Sequence, residues 1–171
     1  PVKDTGEAPV WAGELPPVPI EVAMEVGKLR RSAATAIGAM EAMKGDLDFE
    51  NYPLSEVARA DLLNAVAEHI DATENLPTDT TLTIESRDNA VVLNTCRGSR
   101  INETLAHFIQ AMGSMREGKM GTTLVDPYRI AFQVPGTTAA HVIEWLTTTS
   151  PDALEAILRM TIPNGRALRW R

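Results

Sequence analysis

A single cysteine, Cys96, stands in the 171 residues. No disulfide can form within the chain, and a reducing compartment is expected, with the cytoplasm as the default location. No apolar run approaches the roughly 18 residues of a membrane span, so no membrane contact is expected. There is no Gly-x-x-x-x-Gly-Lys-Ser/Thr loop, which excludes nucleotide binding in the P-loop manner and any ATPase of that kind within this stretch. The three histidines, His69, His107 and His141, fall on separate predicted helices without cysteine or histidine at ligand spacing, so neither a metal nor any other cofactor is expected here. His69 and His107 are expected to border the core. A basic excess is also missing: the formal net charge is −7, which argues against a free-standing nucleic-acid binder and confines any such contact to a local patch. The chain starts without Met or a signal-type segment and ends without a closing turn, so it reads as cut from something longer.

What is present is globular: 44 % hydrophobic and 23 % charged residues, sufficient for one α+β domain with a substantial core. Five of the eleven prolines fall in residues 1–20. Proline fixes φ and removes donors, so this segment is expected to be an extended arm, followed by one domain over residues 21–171. From Ile20 the apolar residues Val22, Val26, Leu29, Ala33, Ile37 and Met40 recur at helical spacing, predicting a long amphipathic helix that stops near Lys44-Gly45. Ser55 caps a second predicted helix with Val57, Leu62, Val66 and Ile70 on its apolar side, ending before Pro77. The two helices form a hairpin.

The period then becomes two. Leu82 and Ile84 alternate with polar residues, Arg87-Asp88-Asn89 turns, and Ala90–Leu93 returns as a more buried strand. A helix over 100–118 follows, then strands over 121–125 and 129–134, with Ile130, Phe132 and Val134 on one face. A helix covers Thr138–Thr147. Strand, strand, helix thus occurs twice, and two such ββα units predict a mainly antiparallel four-stranded sheet with helices packed on it. Ser150-Pro151-Asp152 opens a last helix.

The chain is organised around Asn94–Leu105, where an apolar strand feeds a helix through Gly98. Ser99 or Asn102 is placed to cap that helix, leaving free N–H groups and partial positive charge at its start. Arg97 and Arg100 flank the point and are expected to be exposed. Donors and two guanidinium groups in one loop suit a phosphate or another anion; the same residues also suit a plainly capped helix with solvated arginines. Trp11 in the proline-rich arm has few local partners, so it either plugs the arm onto the domain or offers its face to something else, such as a nucleobase. Trp145 falls at a core position. Cys96 with a histidine and Asp126 would make a nucleophile set in principle, but a buried thiol at a strand end is the simpler reading.

Several stretches together resemble one family: Val10-Trp-Ala-Gly-Glu-Leu-Pro-Pro-Val-Pro-Ile-Glu-Val-Ala-Met-Glu-Val-Gly27, Leu76-Pro-Thr-Asp79, the Arg-x-Asn-Glu-Thr-Leu core of residues 94–105, Asp126-Pro-Tyr-Arg-Ile130 and Leu168-Arg-Trp-Arg171. They are similar to the associated domain of the large helicase-related (Lhr) proteins, superfamily 2 DNA helicases in which this domain follows two motor domains and a winged-helix domain. Arg97 departs from the pattern, where an aromatic residue is expected. The resemblance implies an accessory part of an ATP-driven 3′ to 5′ translocase that helps enclose single-stranded DNA, with RNA left open as the strand. ATP and magnesium would belong to the motor domains, and those and the winged-helix domain would be partners in the same polypeptide. By analogy Trp11 looks like a base-stacking residue and Arg97, Arg100 and Asn102 look like backbone contacts. The alternative is a module that braces the motor without touching nucleic acid. A cationic surface joining the arm to the Arg97 loop marks the first reading, an exposed apolar patch the second.

Overall fold

The computed structural model describes residues 16–41, 52–87, 90–118 and 121–161. Trp11, the helix end expected near Lys44-Gly45, the Asp88-Asn89 turn and the 162–171 tail with Trp170 lie outside the described residues. In chain order the elements are α1 (Ile20–Glu41), α2 (Glu56–Thr73), β1 (Thr83–Arg87), β2 (Ala90–Asn94), α3 (Ser99–Glu117), β3 (Thr122–Val125), β4 (Arg129–Gln133), α4 (Ala139–Thr148) and α5 (Pro151–Thr161).

Local chemistry sets several of these boundaries. Ser55 Oγ accepts from Ala58 N at 3.2 Å at the start of α2, and Thr138 and His141 close a capping box on α4, each occupying a donor that the first helical turn leaves without a partner. The four strands pair antiparallel throughout in the order β1-β2-β4-β3. That order places the two ββα hairpins about a pseudo-twofold axis normal to the sheet, with β2 and β4 at its centre. One face of the sheet carries Val91, Leu93, Ile130 and Phe132 against Ala106, Phe108 and Ile109 of α3 and Val142 and Trp145 of α4, with Leu154, Ile157 and Leu158 of α5 packed on the rim. Phe108, Phe132, Leu93, Ile109 and Ile130 are fully buried, and each such side chain contributes about 1.5–3 kcal/mol by leaving water.

The helical hairpin has its own small core: Ala33, Ala36 and Val66, with Leu29, Ile37, Leu62, Leu63 and Ile70 around them. The expected stripe on α1 is rotated at its start. Val22 is 51 % exposed while Ala23 is fully buried, because α1 crosses the Thr78–Asp79 loop at Gly27, where a Cβ would lie 2.4 Å from Asp79 N. Only small side chains permit that approach. Val57 is likewise at 71 % exposure rather than in the hairpin core, since α2 buries the face bearing Leu62, Val66 and Ile70.

The hairpin is joined to the sheet by charge as well as by close packing. Arg31 donates to Asp79 through Nε at 2.8 Å and Nη2 at 2.7 Å. Those hydrogen bonds hold the buried Asp79 carboxyl below its ordinary range. Arg97 Nη1 donates to the Asp79 carbonyl at 2.8 Å from the other side.

Candidate nucleic-acid interface

The loop from Thr95 to Gly98 connects β2 to α3 and holds two residues at positive φ. Cys96 adopts φ 50° and Gly98 φ 83°; a Cβ on Gly98 would meet Val18 O at 2.8 Å. Glycine is required there both for its conformation and for the arm's close approach.

The hydrogen bonding removes the donors of the loop itself but not those expected at the start of the helix. Thr95 N and Cys96 N donate to Tyr128 O at 2.8 and 3.3 Å, Gly98 N to Pro127 O at 2.9 Å, and Ser99 N to Val18 O at 3.0 Å. Arg97 N donates to Thr95 Oγ1 at 3.2 Å. Five consecutive N–H groups are thus consumed by the protein, whereas Arg100 N and Ile101 N, in the first turn of α3, have no partner among the described residues. The cap expectation is corrected too: Gly98 is the N-cap of α3 and no side chain caps it. Ser99 Oγ instead accepts from Val18 N at 3.0 Å, so residues 18 and 99 are tied by two reciprocal bonds.

Asn102 is fully buried. Its Oδ1 accepts from Thr95 Oγ1 at 2.6 Å and its Nδ2 donates to Asp126 O at 2.8 Å. The residue expected to touch a strand therefore pins the loop to the turn before β4, and has no exposed atom for a ligand. Arg97, expected to be exposed, is half-buried through its bond to Asp79; Arg100 is exposed. These two arginines face the described end of the arm. With Pro17, Val18, Pro19, Ile20, Glu21 and Ile101 they line a groove of about 470 Å³, in which the two guanidinium groups face apolar side chains and one carboxylate. Trp11 lies outside the described residues, and the first of the described arm residues to line the groove is Pro17.

A second cleft of about 500 Å³ opens between the hairpin and the end of the sheet, lined among others by Arg30, His69, Asn94, Tyr128 and Arg129. Sequence alone gives Arg30 no role, because it lies off the apolar stripe of α1. Tyr128 and Arg129 sit in the Asp126–Ile130 motif, which is the signal in the sequence that marks this cleft. Arg30 Cζ lies 5.9 Å from the centroid of the Tyr128 ring, and Arg30 Nη1 donates to Cys96 Sγ at 3.4 Å.

Cys96 is fully buried and lines neither cleft. Burial pushes its thiol up, against the pull of Arg30, which is the environment of a packed thiol and not of a nucleophile. His107 is exposed rather than bordering the core, whereas Trp145 is buried as expected and stacks on His141 at 6.1 Å. Among the described residues no group of three or more His, Cys, Asp or Glu could hold a metal ion, and no helix is long and apolar enough to cross a membrane.

A family model described as DEAD/H associated matches residues 76–171. No curated protein matches the sequence. Among solved structures the fold is similar to that of the Mycobacterium smegmatis helicase Lhr bound to ssDNA and AMP-PNP, with a TM-score of 0.66 and 21 % identity, covering 95 % of this chain. The chain spans 21 % of the length of that protein.

Proposed function

The chain belongs to the DEAD/H associated family, and from that premise we propose that it is the accessory domain of an Lhr-type, ATP-dependent 3′ to 5′ DNA helicase, contacting the single strand that the motor moves. ATP and magnesium act in the motor domains of the parent protein; this domain supplies part of the strand's enclosure. The observation that carries the reading is the groove in which Arg97 and Arg100 face the end of the proline-rich arm. Guanidinium groups neutralise backbone phosphates without regard to base, and Trp11 further along the arm supplies a face on which a base stacks.

The solved relative was bound to ssDNA, which supports the class of ligand. The net charge of −7 makes the isolated domain a weak binder; the motor supplies the rest of the groove. A second reading, a brace that docks on the other domains, is favoured by one feature. The face of the sheet away from the helices carries Val92, Leu124 and Ala131 around a shallow depression, and Leu124 is 77 % exposed.

The test is made in the full-length protein. Trp11→Ala, and separately Arg97→Ala with Arg100→Ala, should weaken single-strand binding several-fold, and each phosphate no longer neutralised should lower the slope of log K against log salt by about 0.7. Oligoribonucleotides run in parallel decide between DNA and RNA. Wild-type binding and unwinding in both variants would shift the reading to the brace.

A further inference from the structure

The second cleft carries a charge that the protein itself leaves unanswered. Among the described residues, Lys28 pairs with Glu25, Arg31 with Asp79, Arg116 with Glu117, Arg129 with Asp126 and Arg159 with Glu155. Arg30 is half-buried, and no described carboxylate lies within ion-pair distance of it. Its two neighbours supply no negative charge. The Cys96 thiol, pushed up by burial, stays protonated near neutral pH, and the Tyr128 ring offers only the weak attraction of its π face.

A guanidinium group has five N–H donors. Here one nitrogen, Nη1, is engaged with the thiol, and the others are left to the cleft. Holding a cation partly out of water without a counter-charge is costly, and an anion entering the cleft removes that cost. The walls say which kind of anion fits. The Tyr128 ring, the His69 imidazole and the apolar Leu62 and Pro77 line the cleft with the guanidinium, and the Asp126 carboxylate that also lines it is already paired with Arg129; this mixture of aromatic and cationic groups suits a nucleotide backbone with its bases. The cleft also lies beside the first groove. Asn94 lines one and Arg97 the other, and three residue steps span at most about 11 Å of extended chain.

We propose that this cleft is a phosphodiester subsite for the single strand, with Arg30 as the residue that contacts the backbone; the proposal rests on the strand-contact reading above. Isotope-labelled protein of this sequence is titrated with an oligothymidylate, with inorganic phosphate and with a glutamate-rich peptide. The Nε–H resonances of Arg30, Arg97 and Arg100 are followed, each assigned through its Arg→Lys variant. The Arg30 resonance should shift with the oligonucleotide and, more weakly, with phosphate. Arg30→Gln should lower the salt slope of oligonucleotide binding by about 0.7, and Arg30→Lys, which keeps the charge but not the planar fork, should fall between.

Shifts at Arg97 and Arg100 with none at Arg30 overturn this subsite and leave the proposed function standing. No shift at any of the three overturns both. A response of Arg30 to the peptide or to phosphate alone, without the oligonucleotide, also overturns the subsite and assigns the cleft to a different anion. Should the glutamine variant not fold, the wild-type shifts decide the matter.

Discussion

Arg97, Arg100 and Asn102 lie within six positions of each other, and the fold gives them three different employments. Arg100 is exposed, so Arg100→Ala should change stability by about 0.5 kcal/mol or less. Arg97→Ala removes the bond to the Asp79 carbonyl and should cost about 1 kcal/mol; urea melts of the single variants separate the two. Asn102→Ala takes the acceptor from the buried Thr95 hydroxyl and the donor from the half-buried Asp126 carbonyl, and a loss of about 1–3 kcal/mol in the same melts is expected. A neutral result would mean that Asn102 does not hold the loop. The sequence made the polarity of these residues plain but not their depth. Asn102 lies on the side of α3 that faces the Asp126–Pro127 turn, a relation set by strand pairing 24 residues later in the chain.

At the scale of elements, caps and prolines guide where their effects are local, and the cap reading fails at α3, where Gly98 and not Ser99 or Asn102 is the N-cap. Ser55, Thr138 and the Ser150-Pro151 pair each stand where a helix begins, and alternation in 129–134 puts Ile130, Phe132 and Val134 inside. The start of α1 departs from its periodicity for a non-local reason. Helical spacing ranks Val22 above Ala23, yet what meets this turn is backbone, and backbone contact selects for smallness. Gly27→Ala should therefore be costly despite alanine's better helix propensity. A Cβ 2.4 Å from Asp79 N forces the hairpin away from the loop, and a loss of about 1–3 kcal/mol is expected by calorimetry. A rise in melting temperature would show that the helix shifts without strain. The arm's docking is equally illegible in the sequence, because proline content announces an extended segment but not where it lands.

On the scale of the whole molecule, the hairpin and the sheet each have their own apolar core, and the Asp79 junction is a principal polar link between them. This makes their union sensitive to acid in a definite direction. The folded-state pKa of Asp79 is lowered by its hydrogen bonds from Arg31. Its contribution is therefore present above the ordinary aspartate value of about 3.9 and is lost as pH falls below it toward the folded value. Thermal melts of wild type and Asp79→Asn from neutral pH downward should show a gap that closes in that acidic window. A gap of constant size would assign the stabilisation to packing alone. The strand order β1-β2-β4-β3 could not be read from the duplication of ββα units, which is equally consistent with other pairings. Helices α3 to α5 pack on one face of the sheet, and among the described residues Leu124 on the other face is 77 % exposed. The pleat on that other face presents Val92, Leu124 and Ala131 and no aromatic residue among those described, so base stacking has no platform there, and the proposed strand contact is assigned to the two clefts instead.

The reciprocal bonds between Val18 and Ser99 have a mechanical meaning. Two bonds joining the same pair of residues share a load instead of failing one after the other. The point they grip is the first residue of α3, the helix that carries Phe108 and Ile109 into the core. A pull on Val18 is thus delivered to a helix seated in the core. Cutting the Ser99 hydroxyl away would leave one bond to bear that force alone.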